Sequence, residues 1–94
     1  MVIVSGKLYI YSDKREAFLA SSQAAMIQAR QTAGCYDFVV AADPLEPNRV
    51  NIYEAWNSEE ALTTFRGEGP SDNLSLLIQR VDVKQYAVVD SSPS

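Results

Sequence analysis

The segment RVNIYEAW, residues 49–56, places a glutamate two positions before the chain's one tryptophan. Successive side chains of a β-strand point to opposite faces, so Glu54 and Trp56 are expected to share a face. If Glu54 is buried, the loss of hydration raises the pKa of its carboxyl group, and the carboxylate can then act as a base toward a weakly acidic hydroxyl group. The indole of Trp56 can donate its N–H to an oxygen atom and stack on a planar ring.

Each of these residues also has a purely structural interpretation. A single tryptophan in a small domain is commonly a core residue, because its large ring buries much apolar area. Glu54 can instead pair with a lysine or arginine at the rim of the domain. Arg66 and Arg80 are predicted at the ends of the second and third helices, where each can hold an anionic substrate oxygen or simply complement the helix dipole.

Further aromatic and aliphatic residues are candidates for the wall of a pocket. Their expected roles divide between contact with a substrate and packing of the core or of a sheet interface. The tyrosines in this set, whose hydroxyl groups can donate hydrogen bonds, are Tyr36, Tyr53 and Tyr86. The apolar members, expected in the core with one side bordering the pocket, are Phe38, Leu62, Phe65 and Leu77.

Composition excludes several other kinds of chemistry. The 94 residues include no histidine and one cysteine, Cys35. The chain therefore lacks the residues for a Ser-His-Asp or Cys-His arrangement, for a zinc site or for an internal disulfide. The net charge is −4 and the eight basic residues are scattered, which is unfavourable for binding nucleic acid. The lack of a signal-like start and of an apolar span predicts a cytoplasmic protein with no membrane partner.

Hydrophobic periodicity and turn signals divide the chain into alternating strands and helices. The predicted elements are strands over 2–11, 35–43, 49–56 and 81–89, helices over 14–32 and 57–66, and a helical turn or two over 74–81. Asp13 and Glu16 are expected to form a capping box, Gly34 to end the first helix and Asn57 to cap the second. The segment GEGPSDN, residues 67–73, is predicted to be a loop that can act as a lid.

This order predicts an α+β, ferredoxin-like βαββαβ fold with a four-stranded antiparallel sheet and helices on one face. It forms a single domain over residues 1–90, with a disordered tail over 91–94. In the third strand Val50, Ile52, Glu54 and Trp56 are expected to point to one face and Asn51, Tyr53 and Ala55 to the other. The helices leave one face of the sheet uncovered. Because this face is not a plainly charged one, we expect a second copy to cover it and form a homodimer.

The segment AGCYDFVVAADPLEPNRVNIYEAWNSEEALTTF, residues 33–65, carries a more specific pattern. Its characteristic residues are Gly34 and Cys35, Asp43 and Pro44, Pro47 to Arg49, Tyr53 and Glu54, Trp56, Ser58, and Glu60 and Ala61. In this order the chain resembles the antibiotic biosynthesis monooxygenase family of dimeric α+β barrel proteins, and in particular a quinol-monooxygenase-like member. The resemblance covers nearly the whole chain.

The resemblance implies a homodimer in which each subunit has a pocket between sheet and helices for a small aromatic substrate. Some relatives oxidise phenols to quinones with molecular oxygen and without metal or flavin, so it implies no cofactor. In those relatives a tryptophan at the place of Trp56 lines the pocket, and asparagines stand where this chain has Ile52 and, approximately, Gly6. Haem-degrading relatives use a histidine to ligate iron, and this chain has none.

The resulting expectation is a cofactor-independent monooxygenase that oxidises a small phenolic, quinol or polyketide-like aromatic substrate. Its expected catalytic residues are Trp56 and Glu54. The expected substrate-binding residues are Ile52, Phe38, Leu62, Phe65, Leu77, Tyr86 and Arg80. The alternative is a non-catalytic dimeric protein that binds a small molecule, which the missing asparagines favour. An isomerase or cyclase on the same scaffold would need an acid–base pair but no oxygen.

Overall fold

The computed structural model describes residues 1–67 and 72–89. Its elements are β1 (Val2–Ile10), α1 (Arg15–Arg30), β2 (Cys35–Ala42), β3 (Arg49–Trp56), α2 (Glu59–Gly67), a 3₁₀ helix (Asp72–Leu77) and β4 (Ile78–Ala87). The order confirms the predicted ferredoxin-like α+β fold. Most of the predicted lid and the predicted tail over 91–94 lie outside the described residues. Within the described ranges, no helix is long and apolar enough to cross a membrane.

The four strands form one antiparallel sheet in the order β2-β3-β1-β4. Both βαβ-like halves therefore place their first strand at the centre. The register aligns Trp56 of β3 with Val2 of β1, and Glu54 with Val4. On the other side of β3, Phe38 of β2 lies opposite Glu54. These pairs place residues from three strands in neighbouring rows on one face of the sheet.

That face, which we call the helix face, carries the core. One cluster of buried residues consists of Val2, Val4, Ala29, Phe38, Trp56, Leu62 and Phe65. A second consists of Leu8, Ile10, Phe18 and Val50. Val40 and Val83 are half-buried and pack against both clusters. The core is therefore divided along the strands, with these two valines between its halves.

The first helix begins and ends differently from the prediction. Lys14 occupies the N-cap position and makes no side-chain capping bond, while Asp13 has a left-handed backbone with φ of 67°. The predicted capping box is therefore wrong, because Asp13 belongs to the turn that leaves β1. Gly34 is not the C-cap either, since the helix ends at Arg30. Its φ of 88° instead serves the turn into β2, where an added Cβ would lie 2.7 Å from the Ala61 Cβ.

The predicted third helix is a 3₁₀ helix that ends at Leu77, and β4 begins at Ile78. Leu74 and Leu77 pack against the second cluster from the 3₁₀ helix, and Ile78 packs against it from the strand. Apolar residues at helical spacing thus reach the same cluster from two different elements. The prediction that Arg80 ends a helix is wrong, because Arg80 lies within β4 opposite Tyr9.

Candidate active site

Glu54 and Trp56 are brought together by adjacent positions on the helix face of β3. The indole Nε1–H of Trp56 donates a hydrogen bond to Glu54 Oε1 at 3.0 Å. The indole is fully buried, at 0 % exposure, and Glu54 is 9 % exposed. Strand alternation explains the shared face, and the contact itself arises because the two side chains lean toward each other along the strand.

Helix α2 closes the site from above with aromatic and aliphatic side chains. The ring of Phe65 lies 5.2 Å from that of Trp56 between centroids, and 5.6 Å from that of Phe38, which it meets edge to face. Leu62 is fully buried in the same cluster. The start of α2 is stabilised by Ser58, whose Oγ accepts a hydrogen bond from the Ala61 N–H at 3.1 Å. The cap is therefore Ser58, and the prediction of Asn57 as the cap is wrong.

The apolar surroundings change the acid–base behaviour of Glu54. Burial raises the pKa of its carboxyl group above the ordinary value of 4.5. The hydrogen bond from Trp56 and the positive charge of Arg66 act in the opposite direction and lower that pKa, with smaller effect. A buried carboxylate with a raised pKa is a stronger base than one in water, so it can accept a proton from a weakly acidic hydroxyl group.

The other predicted residues on the helix face divide between the two core clusters. Phe38, Leu62 and Phe65 belong to the cluster of Trp56, whereas Ile52 and Leu77 pack against the second one. Ile52 lies opposite Val40 in β2 and opposite Gly6 in β1. The structure therefore assembles these residues on the same side of the sheet as Glu54.

Tyr86 and Arg80 are not part of this assembly. Both lie on β4, where Tyr86 is opposite Ile3 and Arg80 is opposite Tyr9. Those two residues of β1 alternate with the buried Val2, Val4, Leu8 and Ile10, so they point away from the helices. Arg80 is held there by its guanidinium carbon, 4.3 Å from the centroid of the Tyr9 ring. The predictions that place Tyr86 and Arg80 in the pocket with Trp56 are wrong in position.

The position of Gly6 explains one of the absent amide side chains. A Cβ at Gly6 would lie 2.6 Å from the Cα of Val83 in the neighbouring strand, closer than real Cβ contacts. Strands β1 and β4 therefore approach too closely at this point for any side chain at position 6. At the second position, Ile52 supplies apolar surface to the core where an asparagine would supply an amide.

Sequence reasoning missed the two valines that join the clusters. Val40 and Val83 border Ile52 and Gly6 through the strand pairing. Each valine lies in a predicted strand. Alternation shows which side chains of one strand share a face, but it does not show which residues of another strand lie beside them. The signal that selects these valines is the register between strands, which requires the pairing of segments far apart in the chain.

The opposite side of the sheet, which we call the open face, has a polar concavity of about 450 Å³. It is lined by Ser5, Gly6, Lys7, Arg49, Asn51, Ile52, Asp82, Lys84 and Tyr86. Lys7 Nζ and Asp82 Oδ2 are 3.9 Å apart across its floor. This polar character contrasts with the apolar surroundings of Glu54, so base chemistry on an aromatic substrate is better served by the helix face.

Comparison with known proteins identifies the family. A protein of Nitrosomonas europaea that carries the name antibiotic biosynthesis monooxygenase has a TM-score of 0.85 at 18% identity, covering 96% of this chain and 100% of that one. A Deinococcus radiodurans protein of the same family name has a TM-score of 0.84 at 22% identity, covering 100% and 98%. These likenesses show the fold.

A curated Synechocystis protein, described as uncharacterized, is 26% identical over 95 residues and covers 96% of this chain. The chain spans 65% of the length of that relative. The family model for antibiotic biosynthesis monooxygenase matches residues 1–70, which include the whole of β1 to α2. The chain therefore belongs to the antibiotic biosynthesis monooxygenase family.

Proposed function

We propose that this protein is a monooxygenase that oxidises a small phenolic, quinol or polyketide-like aromatic compound with molecular oxygen, without metal or flavin. The observation that supports this proposal most directly is the buried Glu54 carboxyl group, with its raised pKa, among aromatic side chains on the helix face. Membership of the family supports the reaction class. The substrate would reach Glu54, which is 9 % exposed, from the helix face of β3.

The proposed reaction balances without an added cofactor. Glu54 takes the hydroxyl proton of a phenol, and the phenolate gives one electron to oxygen. The two radicals then combine at the para ring carbon, and the peroxide takes the proton back from Glu54. Glu54 next removes the ring hydrogen while the O–O bond breaks, which leaves a quinone and hydroxide. The proton on Glu54 then converts the hydroxide to water, so one oxygen atom enters the substrate and the other leaves in water.

Electrostatics favours the first step of this reaction in a dry site. Proton transfer from a neutral phenol to a carboxylate moves one negative charge over a short distance and creates no new charge. The apolar cluster around Trp56 and Phe65 excludes water from the carboxylate, which strengthens it as a base. Arg66, at the end of α2, lies near enough to lower the pKa of Glu54, so its charge also favours the anion that forms.

A second candidate function is a non-catalytic protein that binds a small hydrophobic molecule. The observation that favours it is the indole N–H of Trp56, which is already donated to Glu54. With Ile52 and Gly6 on neighbouring strands, those two positions supply no amide donor for a developing oxyanion. A binder of this kind would use the same apolar surface and would need no base.

Oxygen consumption separates the two functions. The purified protein is incubated with anthrone-like and quinol compounds, and oxygen uptake is followed with an electrode against the buffer rate. We expect uptake of one oxygen molecule per substrate molecule, and a roughly 10²-fold or greater loss of rate in Glu54→Gln, because the base is removed. Glu16→Gln, which removes the same charge from the exposed first turn of α1, is the matched control and should keep the wild-type rate.

The outcomes have distinct meanings. Uptake at the buffer rate with every compound contradicts the monooxygenase, and tight binding of one of those compounds under the same conditions supports the binder. Uptake that persists in Glu54→Gln at the wild-type rate removes Glu54 from the mechanism.

We also propose that two copies pair through the open face. This face carries half-buried Ile3 and Tyr9, together with Tyr53 and Tyr86, which are 41% and 49% exposed. Basic and acidic side chains, Lys7, Lys84 and Asp82 among them, are interspersed with these apolar groups. A second copy would bury the tyrosines and place opposite charges near each other across the interface.

A further inference from the structure

We infer that Trp56 acts on the reaction through Glu54, as a positioning residue whose indole N–H holds the carboxylate in place, and that it donates no hydrogen bond to the substrate. This inference rests on the proposed function, since it concerns the base of that reaction. It differs from the sequence-based expectation, in which the indole N–H binds an oxygen atom of the substrate.

The geometry of the indole leads to this role. An indole has one N–H, and that group is used at 3.0 Å by Glu54 Oε1. The ring is fully buried, and Phe65 packs against it with an interplanar angle of 36°. For the N–H to reach a substrate oxygen, Glu54 would have to leave it, or the ring would have to rotate against Phe65. Neither movement is needed if the substrate meets the carboxylate.

The hydrogen bond from Trp56 affects both the orientation and the ionisation of the Glu54 carboxyl group. It occupies one acceptor site of Oε1, so the second carboxylate oxygen offers the larger remaining capacity to accept a proton from the substrate. A bond to an ionised carboxylate is stronger than one to the neutral acid, so the indole favours the basic form of Glu54 against the effect of burial. Trp56 thereby orients the base and keeps it ionised at a lower pH than burial alone would allow.

Few other charged groups face this pair among the described residues. Arg66 approaches from α2, and Cys35 approaches from β2. The pKa of the Cys35 thiol is raised first by burial and then by the negative charges of Asp37 and Glu54, while the positive charge of Arg30 lowers it. From β1 the facing residue is the apolar Val4, and from β2 Phe38 lies opposite. A titration of the pair can therefore be assigned to Glu54 once Cys35 has been replaced.

The chain's one tryptophan makes a direct test possible in the substrate-free protein. The indole N–H gives a single side-chain cross-peak in a ¹H–¹⁵N correlation spectrum, and this peak is followed over pH 3 to 9 while far-UV circular dichroism confirms folding. We expect the peak to move between two positions with a midpoint above 4.5, because the acceptor changes from acid to carboxylate. In Glu54→Gln the midpoint should vanish, and in Cys35→Ser it should remain.

Two results of that titration would overturn the inference. The first is an indole peak that stays still over the pH range in the folded wild-type protein. The second is a peak that moves equally in Glu54→Gln. Either shows that the N–H of Trp56 does not report on the carboxyl group of Glu54.

Kinetics gives the second test, with Trp56→Phe compared with wild type. Loss of the hydrogen bond should move the acid limb of the pH–rate profile upward by about one pH unit, the shift that corresponds to about 1.4 kcal/mol. At its own optimum the variant should lose kcat with little change in KM, because the substrate keeps its contacts. An unchanged acid limb with a KM raised at least tenfold would instead show direct contact between Trp56 and the substrate.

The two tests separate failure of this inference from failure of the proposed function. The titration needs no substrate, so it can support the pairing even if no compound is oxidised. Should oxidation occur while the indole peak stays still, the monooxygenase stands and the positioning role of Trp56 is overturned. A Trp56→Phe variant that fails to fold leaves the titration of the wild-type protein as the deciding measurement.

Discussion

Asp43 shows how one residue organises the connection between β2 and β3. Its Oδ2 accepts hydrogen bonds from the backbone N–H groups of Leu45 and Glu46, and its Oδ1 accepts one from the Asn51 side chain at 2.9 Å. Arg49 lies 3.5 Å from the same carboxylate. The hydrogen bond from Asn51, followed by those from Glu46 and Leu45, favours the ionised form and lowers the pKa of Asp43 to about 2. The turn that begins at Asp43 and Pro44 is thus stabilised by hydrogen bonds to the Asp43 carboxylate.

The lowered pKa makes the stability of the hairpin depend on pH. A carboxyl group with a folded-state pKa of about 2, against 3.8 in a free chain, adds stability above 3.8 that is lost as the pH falls through about 2. Asp43→Asn should therefore be less stable than wild type at pH 7, and the difference should shrink toward pH 2.

Urea unfolding at pH 7, 4, 3 and 2 measures this dependence. Glu16→Gln, at an exposed site on α1, is the control and should follow wild type at every pH. A difference between Asp43→Asn and wild type that stays constant down to pH 2 would show that the carboxylate charge is not its source.

At the scale of elements, α2 connects helix capping to the candidate active site. Its first turn is fixed by Ser58, and its buried face delivers Leu62 and Phe65 onto Trp56. The sequence predicts Asn57 as the cap, whereas the structure uses Ser58; both residue types are favourable caps, so residue type did not separate the two positions. The position of the helix start depends on β3, whose last residue is Trp56.

Replacement of the cap should weaken α2. Ser58→Ala is expected to lower the free energy of unfolding by about 1 kcal/mol, because the Ala61 N–H loses its partner at the helix start. Chemical denaturation followed by the fluorescence of Trp56 measures this change next to the site. Asn57→Ala is the matched control and should cost less, and a cost equal to that of Ser58→Ala would contradict the assignment of the cap.

Hydrophobic periodicity did not predict the boundary between the 3₁₀ helix and β4. Leu74, Leu77, Ile78 and Val81 have helical spacing, but Ile78 pairs with Ile10 in the sheet and Val81 is 62% exposed. A short apolar run fits either a helix or a strand. Pairing with β1 decides in favour of the strand, because the backbone of the run then satisfies its hydrogen bonds in the sheet.

At the scale of the whole molecule, the helices cover one side of the sheet and leave the open face exposed. Tyr53 lies near the middle of this face, on the inner strand β3 opposite Ser5. If two copies pair there, a glutamate at this position replaces the apolar ring with a charge that loses its hydration in the interface. We therefore expect Tyr53→Glu to raise the dimer dissociation constant roughly 30-fold or more.

Sedimentation equilibrium at micromolar concentration measures this change. The wild-type protein should have twice the mass of the chain, and Tyr53→Glu should shift toward the monomer. Ile27→Glu, which adds the same charge at a 60% exposed apolar site on α1, should remain dimeric. A wild-type protein with only the monomer mass would contradict the homodimer.

Local patterns in the sequence were sufficient for the order of the elements and for the shared face of Glu54 and Trp56. Both depend on regularities within one segment, since strand alternation and helix periodicity need no distant contact. The bounds of β3 agree with the prediction for this reason, because the turn before it and the helix after it are both marked by residue type.

The tertiary structure decided which residues meet. It placed Tyr86 and Arg80 on the face away from Trp56, packed Val40 and Val83 against both core clusters, and paired the indole N–H with Glu54. The physical reason is that strand register, close approach at Gly6 and burial of a carboxyl group arise from packing between segments distant in the chain. The types of the reactive groups are written in the sequence, but their partners and their acidity exist only after folding.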